Sequence, residues 1–125
     1  MTASEIITLV LIGLTAGVIS GLMGVGGAII MIPALVFFLG LSQHEAQGTS
    51  LLVLLFPVGL FAVINYYRQG YVNFKLGIII ILAFFAGSYF GSLLALRLPE
   101  RPLKIMFGLL IIFLGARMIW KTIRA

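Results

Sequence analysis

The chain has 125 residues, of which 62% are hydrophobic and only 9% charged, with a formal net charge of +5 and no cysteine. A mean hydropathy of +1.27 excludes an ordinary soluble domain, and the absence of cysteine excludes disulfides and thiolate metal sites. The eight Lys and Arg residues lie in connections or near the ends of apolar segments, as in membrane proteins, and form no basic stripe of the kind that binds nucleic acid.

The apolar residues come in long blocks rather than in alternation. Residues 6–41, 51–67, 76–96 and 105–116 contain no Asp, Glu, Lys or Arg. A hydrocarbon core of about 30 Å needs roughly 20 helical residues, so these blocks predict an integral, multi-pass membrane protein. A cleavable leader is not expected at the N-terminus, where Glu5 replaces the usual basic residues and the apolar run is too long.

As one straight helix, residues 6–41 would reach about 54 Å, too far for one ordinary crossing. The run must divide, and the place is Gly21-Leu22-Met23-Gly24-Val25-Gly26-Gly27-Ala28, with four glycines in seven residues. Two halves result, residues 6–23 and residues 28–40, the second carrying Pro33 in its first turns. At about 20 Å the second half is too short to cross, which points to a broken or re-entrant hairpin. Where a membrane helix restarts, its first amides have no intrahelical partner and carry the positive end of the helix dipole. Consecutive glycine amides there can cradle an oxyanion, so Gly24, Gly26 and Gly27 are candidate binding residues; the alternative is a tight turn inside a packed hairpin.

The next connection, residues 40–48, is the most polar of the N-terminal half. Ser42 and Glu45 have capping-box spacing and predict a helix starting at Gln43. That helix is expected to run through Gly48-Thr49-Ser50 to Tyr67, loosened by Pro57, which frees the carbonyl of Val53, and by Gly59. Thr49 and Ser50 either back-bond to the preceding turn or donate to the ligand of the glycine amides. His44 and Glu45 suit a solvated connection better than a proton-coupling pair, and they do not complete a metal shell. Asn65 fits an interfacial belt with Tyr66, Tyr67 and Arg68.

A third span covers residues 76–96, and residues 98–102 form a tight turn. A fourth span ends at Arg117, Trp120 and Lys121. Gly13, Gly17 and Gly21, and likewise Ala83, Gly87, Gly91 and Ala95, recur every four residues and predict close helix packing, including packing of these two helices on each other. If the first segment returns to its starting side, one face collects five Lys/Arg and the other three, a weak orientation bias that permits insertion both ways. The chain has no intramembrane carboxylate pair, second His or nucleophile–base arrangement, so no enzyme is expected.

Residues 13–28 (GLTAGVISGLMGVGGA), Pro33 and the two residues after it, and Gly48-Thr49-Ser50 together resemble the TauE/SafE family of sulfite and organosulfur exporters. The likeness continues through residues 70–74, 87–91, 96–99 and 107–108, with Ala28 standing where members commonly have a further glycine. Members are commonly about twice this length with two similar halves, so the resemblance implies one repeat of a two-repeat architecture over residues 1–125. It further implies a homodimer in a lipid bilayer. An antiparallel pair follows if the full-length halves are inverted; a parallel pair is the alternative.

The expectation is therefore an all-α polytopic membrane bundle, a broken or re-entrant first hairpin followed by three transmembrane helices, in the plasma membrane. The resemblance implies transport of a small anion, sulfite or an organosulfonate, by alternating access and without a cofactor. Ser20, Gly24, Gly26, Gly27, Thr49 and Ser50 are the expected substrate-binding residues. Gly24, Pro33 and Pro57 are the expected hinges. A passive anion channel and a non-transporting assembly subunit are the alternatives.

Overall fold

The computed structural model describes residues 1–24 and 27–124. Six helices follow in order: α1 (Ala3–Met23), α2 (Ala28–Leu39), α3 (Gln43–Leu55), α4 (Leu60–Arg68), α5 (Phe74–Arg97) and α6 (Glu100–Arg124). Helices α1, α5 and α6 are each long and apolar enough to cross a membrane, and α3 with α4 makes a fourth span bent by 54°. With α2 too short to cross, this is the expected helical bundle with a broken first hairpin.

The apolar run divides where its glycines require. α1 starts on Thr2, whose side chain accepts the Glu5 amide at 3.2 Å. It ends on Gly24, whose φ of 68° is the left-handed conformation that closes a helix cheaply only without a Cβ. α2 starts after Gly27, at φ 80°, and runs unbroken across Pro33 to Gly40. α3 begins with the full capping box: Ser42 accepts the Glu45 amide, and the Glu45 carboxylate accepts the Ser42 amide. Both ends of the first hairpin are thus written in short-range backbone chemistry.

The expected continuous helix from Gln43 to Tyr67 is instead two. Pro57 has no amide to donate and forces the residue before it out of the helical region. Phe56 accordingly lies at φ −77°, ψ 148°, which ends α3, and α4 restarts only after Gly59. The proline therefore breaks this span rather than merely loosening it.

A small core forms around α2. Ile12 and Ala16 from α1, Met31, Ile32 and Leu35 from α2, and Ala46 from α3 pack together as its buried apolar residues. α2 is apolar on every side; it buries Met31, Ile32 and Leu35, while Phe37 and Phe38 near its end stay exposed. The principal packed pairs are α1 with α2, α2 with α3, and α3 with α6. The expected packing of α5 against α1 is not among them, and none of the residues of α5 is buried. A Cβ added at Gly13, Gly17, Gly87 or Gly91 would meet nothing within 4 Å, so neither glycine stripe is consumed by packing inside the chain.

Polar contacts tie the periphery to this core. Tyr66 Oη donates to the Gly21 carbonyl at 2.8 Å, satisfying one of the orphan acceptors at the end of α1. The Gln43 amide at the start of α3 donates to Glu100 Oε1 at 2.7 Å, which places a carboxylate at the positive end of α3. His44 Nε2 lies 3.0 Å from the Ala95 carbonyl. Because a carbonyl oxygen only accepts, that nitrogen carries the hydrogen.

Candidate functional site

The restart at Gly27 sets the geometry of the site. Gly27 is buried, and a Cβ there would lie 3.6 Å from both the Cβ and the carbonyl oxygen of Ala16. α2 therefore begins level with Ala16, about 10 Å by helical rise from the end of α1, and not at the end itself. The Gly27 carbonyl accepts the amides of Ile30 and Met31 at 3.1 and 2.9 Å. The amides of Ala28 and Ile29 come before the first intrahelical bond and sit at the positive end of the α2 dipole.

A cleft of about 460 Å³ opens beside this turn, between α2, α3 and α6. Its walls include Ala28 and Ile32 from α2, Gln47 and Ser50 from α3, and Leu103 and Phe107 from α6. Ser50 is 2% exposed, and its Oγ has no hydrogen-bond partner among the described residues. An isolated buried hydroxyl is costly, and buried polar groups are nearly always partnered. Other hydroxyls on the long helices show the usual solution, bonding to a carbonyl of the preceding turn. Thr8 does so to Ser4, Ser92 to Tyr89 and Thr122 to Met118, at 2.9, 2.7 and 2.9 Å. Ser50 does not, and it lines a cleft beside the α2 N-terminus.

The other expected site residues are placed as follows. Gly24 donates its amide to the Ser20 carbonyl at 2.6 Å, so that amide closes α1 and is not offered to a ligand. Ser20 is half-buried in the last turn of α1 and does not line the cleft. Thr49 is exposed and lies outside it too, unlike its neighbour Ser50. Gly26 lies outside the described residues. Asn65 is exposed. Of the expected hinges, Gly24 is the α1 cap, Pro33 is inside an intact helix, and Pro57 is in the break between α3 and α4. Among the described residues, no three of His, Cys, Asp and Glu come together as a metal site would need.

Two glutamines complete the site that single-residue reading missed. Gln43 is 3% exposed, and its Nε2 donates to Gln47 Oε1 at 2.9 Å. Gln43, Gln47 and Ser50 stand at i, i+4 and i+7, the spacing of one helical face. That polar stripe is visible in the sequence; that Gln47 and Ser50 within it line a cleft is not. A second cleft, about 740 Å³ between α3 and α5, has Ser88 and Ser92 in its walls, but their hydroxyls bond to the carbonyls of Phe85 and Tyr89 in their own helix.

Comparison with known proteins matches residues 4–125 to the family described as Sulfite exporter TauE/SafE. A probable membrane transporter protein, YunE, of Bacillus subtilis (strain 168) is 30% identical over 123 residues, covering 93% of this chain and 45% of the relative. A probable membrane transporter protein of Xylella fastidiosa (strain Temecula1 / ATCC 700964) is 33% identical over 113 residues, covering 89% and 43%. YdhB, a further probable membrane transporter protein of Bacillus subtilis (strain 168), is 30% identical over 119 residues, covering 90% and 48%. The chain thus spans a little under half the length of the curated relatives it matches, and no solved structure matches it. A family match across almost the whole chain, on a bundle of membrane-length helices, places the protein in the sulfite exporter TauE/SafE family.

Proposed function

We propose that the chain forms part of a plasma-membrane transporter for a small anion, sulfite or an organosulfonate, working as a homodimer by alternating access. The observation that carries this reading is the unpartnered, buried Ser50 hydroxyl beside the first turn of α2. A short helix starting inside a membrane bundle presents free amides and a positive dipole end, the arrangement that broken-helix transporters use for anionic groups. Gly27 is the glycine that fits this role, because its left-handed backbone, at φ 80°, is the turn from which α2 begins against Ala16. Gly26 is assigned with it on sequence grounds, whereas Gly24 serves the turn. Thr49 and Ser20 lie outside the cleft and are not assigned to it. The family and the relatives' names support transport, and the bend at Pro57 supplies a joint about which one half-span rocks.

The direct test is flux of labelled sulfite and of a labelled alkanesulfonate into proteoliposomes holding the purified protein alone. Saturable uptake is expected, and Ser50→Ala lowers it at least tenfold with insertion unchanged. Uptake in Ser50→Ala equal to that of the unmodified protein would remove Ser50 from the site. Purified protein that moves neither anion is the outcome expected of an assembly subunit. Conductance without saturation is that expected of a channel.

A further inference from the structure

We propose that the cleft between α2, α3 and α6 takes a singly charged oxyanion that carries a hydrocarbon portion. Its head group would be held by the Gln47 amide and the Ser50 hydroxyl, with the apolar portion laid along α6. The proposal deepens the anion-transport reading and rests on it.

The first observation is the state of the two donors. Gln47 Oε1 is occupied by Gln43 Nε2 at 2.9 Å, so the half of the Gln47 amide left for a ligand is its NH₂. Gln43 is itself fixed, since it is almost wholly buried and its main-chain amide is held by Glu100 at 2.7 Å. Glu100 and Gln43 are therefore positioning residues that turn the donor end of Gln47 toward the cleft. One turn further along the same face, Ser50 Oγ is buried with no protein partner among the described residues. Two donors on one face, next to the positive end of α2, select an acceptor-rich group.

The second observation is the remaining wall. Leu103, Met106, Phe107 and Leu110 of α6 face these donors, and among the described residues no Lys, Arg, Asp or Glu lines the cleft. Two charges without a cation would be costly in such a site; one charge spread over several oxygens is what amides and a hydroxyl can hold. The volume of about 460 Å³ lies in the range that encloses organic ligands and far exceeds a bare four-atom anion such as sulfite. An alkanesulfonate or an alkanoate has the shared chemistry required, a multi-oxygen head on an apolar chain.

The experiment measures binding to the purified full chain in lipid nanodiscs, with empty nanodiscs subtracted. The probes are sulfite, ethane-, butane- and hexanesulfonate, hexanoate, and the uncharged hexanol. Affinity is expected to rise about fourfold per methylene buried, to be weakest for sulfite, and to be absent for hexanol. Gln47→Met, which keeps the volume and loses the donor, should weaken hexanesulfonate at least tenfold, and Gln47→Glu should abolish it. Phe107→Ala should flatten the dependence on chain length. The ratio of hexanoate to hexanesulfonate distinguishes the two head groups.

Affinity independent of chain length, or hexanol binding as tightly as hexanesulfonate, would overturn the proposal. So would Gln47→Met binding as tightly as the unmodified protein. The chain-length series on the unmodified protein decides the matter even if a variant fails to fold. Sulfite flux with no chain-length dependence would leave the transport reading standing and remove only this ligand. Absence of both binding and flux would remove both.

Discussion

At the scale of single residues, two positions carry a cost that function can explain. Ser50 buries a hydroxyl without a partner among the described residues, a penalty of about 1–3 kcal/mol that alanine would not incur. Ser50→Ala is therefore expected to raise the stability of the purified protein by about 1 kcal/mol in denaturant titration, while lowering anion flux. A loss of stability in that variant would mean that the hydroxyl is satisfied within the protein. Gly24 differs in kind. Its φ is 68° and a Cβ there meets open space, so any penalty at this position is conformational rather than steric. Gly24→Ala should cost about 1 kcal/mol and Gly24→Asn distinctly less, because asparagine tolerates the left-handed region. Equal effects of the two substitutions, measured in the same titration, would refute that account.

At the scale of elements, the decisive feature is the interrupted span of α3 and α4. Pro57 alone would kink a helix; with extended Phe56 before it and Gly59 after, the chain leaves the helix and resumes at 54°. Pro57→Ala restores the missing amide and lifts the restriction on Phe56. Spin labels at Leu52 and Tyr67, both exposed, should then move apart toward the roughly 22 Å of a continuous helix. On the proposed alternating-access reading, anion flux should fall as well, because the joint assigned to rocking is gone. An unchanged label distance would show that packing, not the proline, holds the bend.

At the scale of the whole molecule, the chain exposes 10015 Å², against roughly 6,500 Å² for a compact folded protein of this mass. Lipid covers apolar area without preference, so the area alone selects no protein partner. The small-residue stripe of α5 is more specific, because open space in front of Gly87 and Gly91 lets another backbone approach closely. Gly87→Leu with Gly91→Leu should leave the protomer folded, since nothing in the chain occupies that space. It should also abolish the proposed homodimer in single-molecule photobleaching. Dimers that persist in this variant would place the interface elsewhere.

Much of this architecture was legible before any coordinates. The division of the first apolar run, the capping box of Ser42 and Glu45, and the interruption at Pro57 all lie on the chain as short-range signals. Each depends on a backbone torsion, a missing amide or a hydrogen bond within four residues, so the sequence by itself determined most helix ends, although it did not show that Pro57 breaks the span outright instead of loosening it. What it could not determine was how those helices rotate about their axes. Only the tertiary structure decided that Ser50 turns into a cleft while Thr49 faces outward, that Gly24 spends its amide on α1, and that Glu100 fixes Gln43. Only packing decided, too, that α2 rather than α5 lies at the centre. The physical reason is that helix rotation and partner choice in a membrane are set by contacts between distant segments, and apolar side chains that all favour burial equally leave them undetermined along the chain.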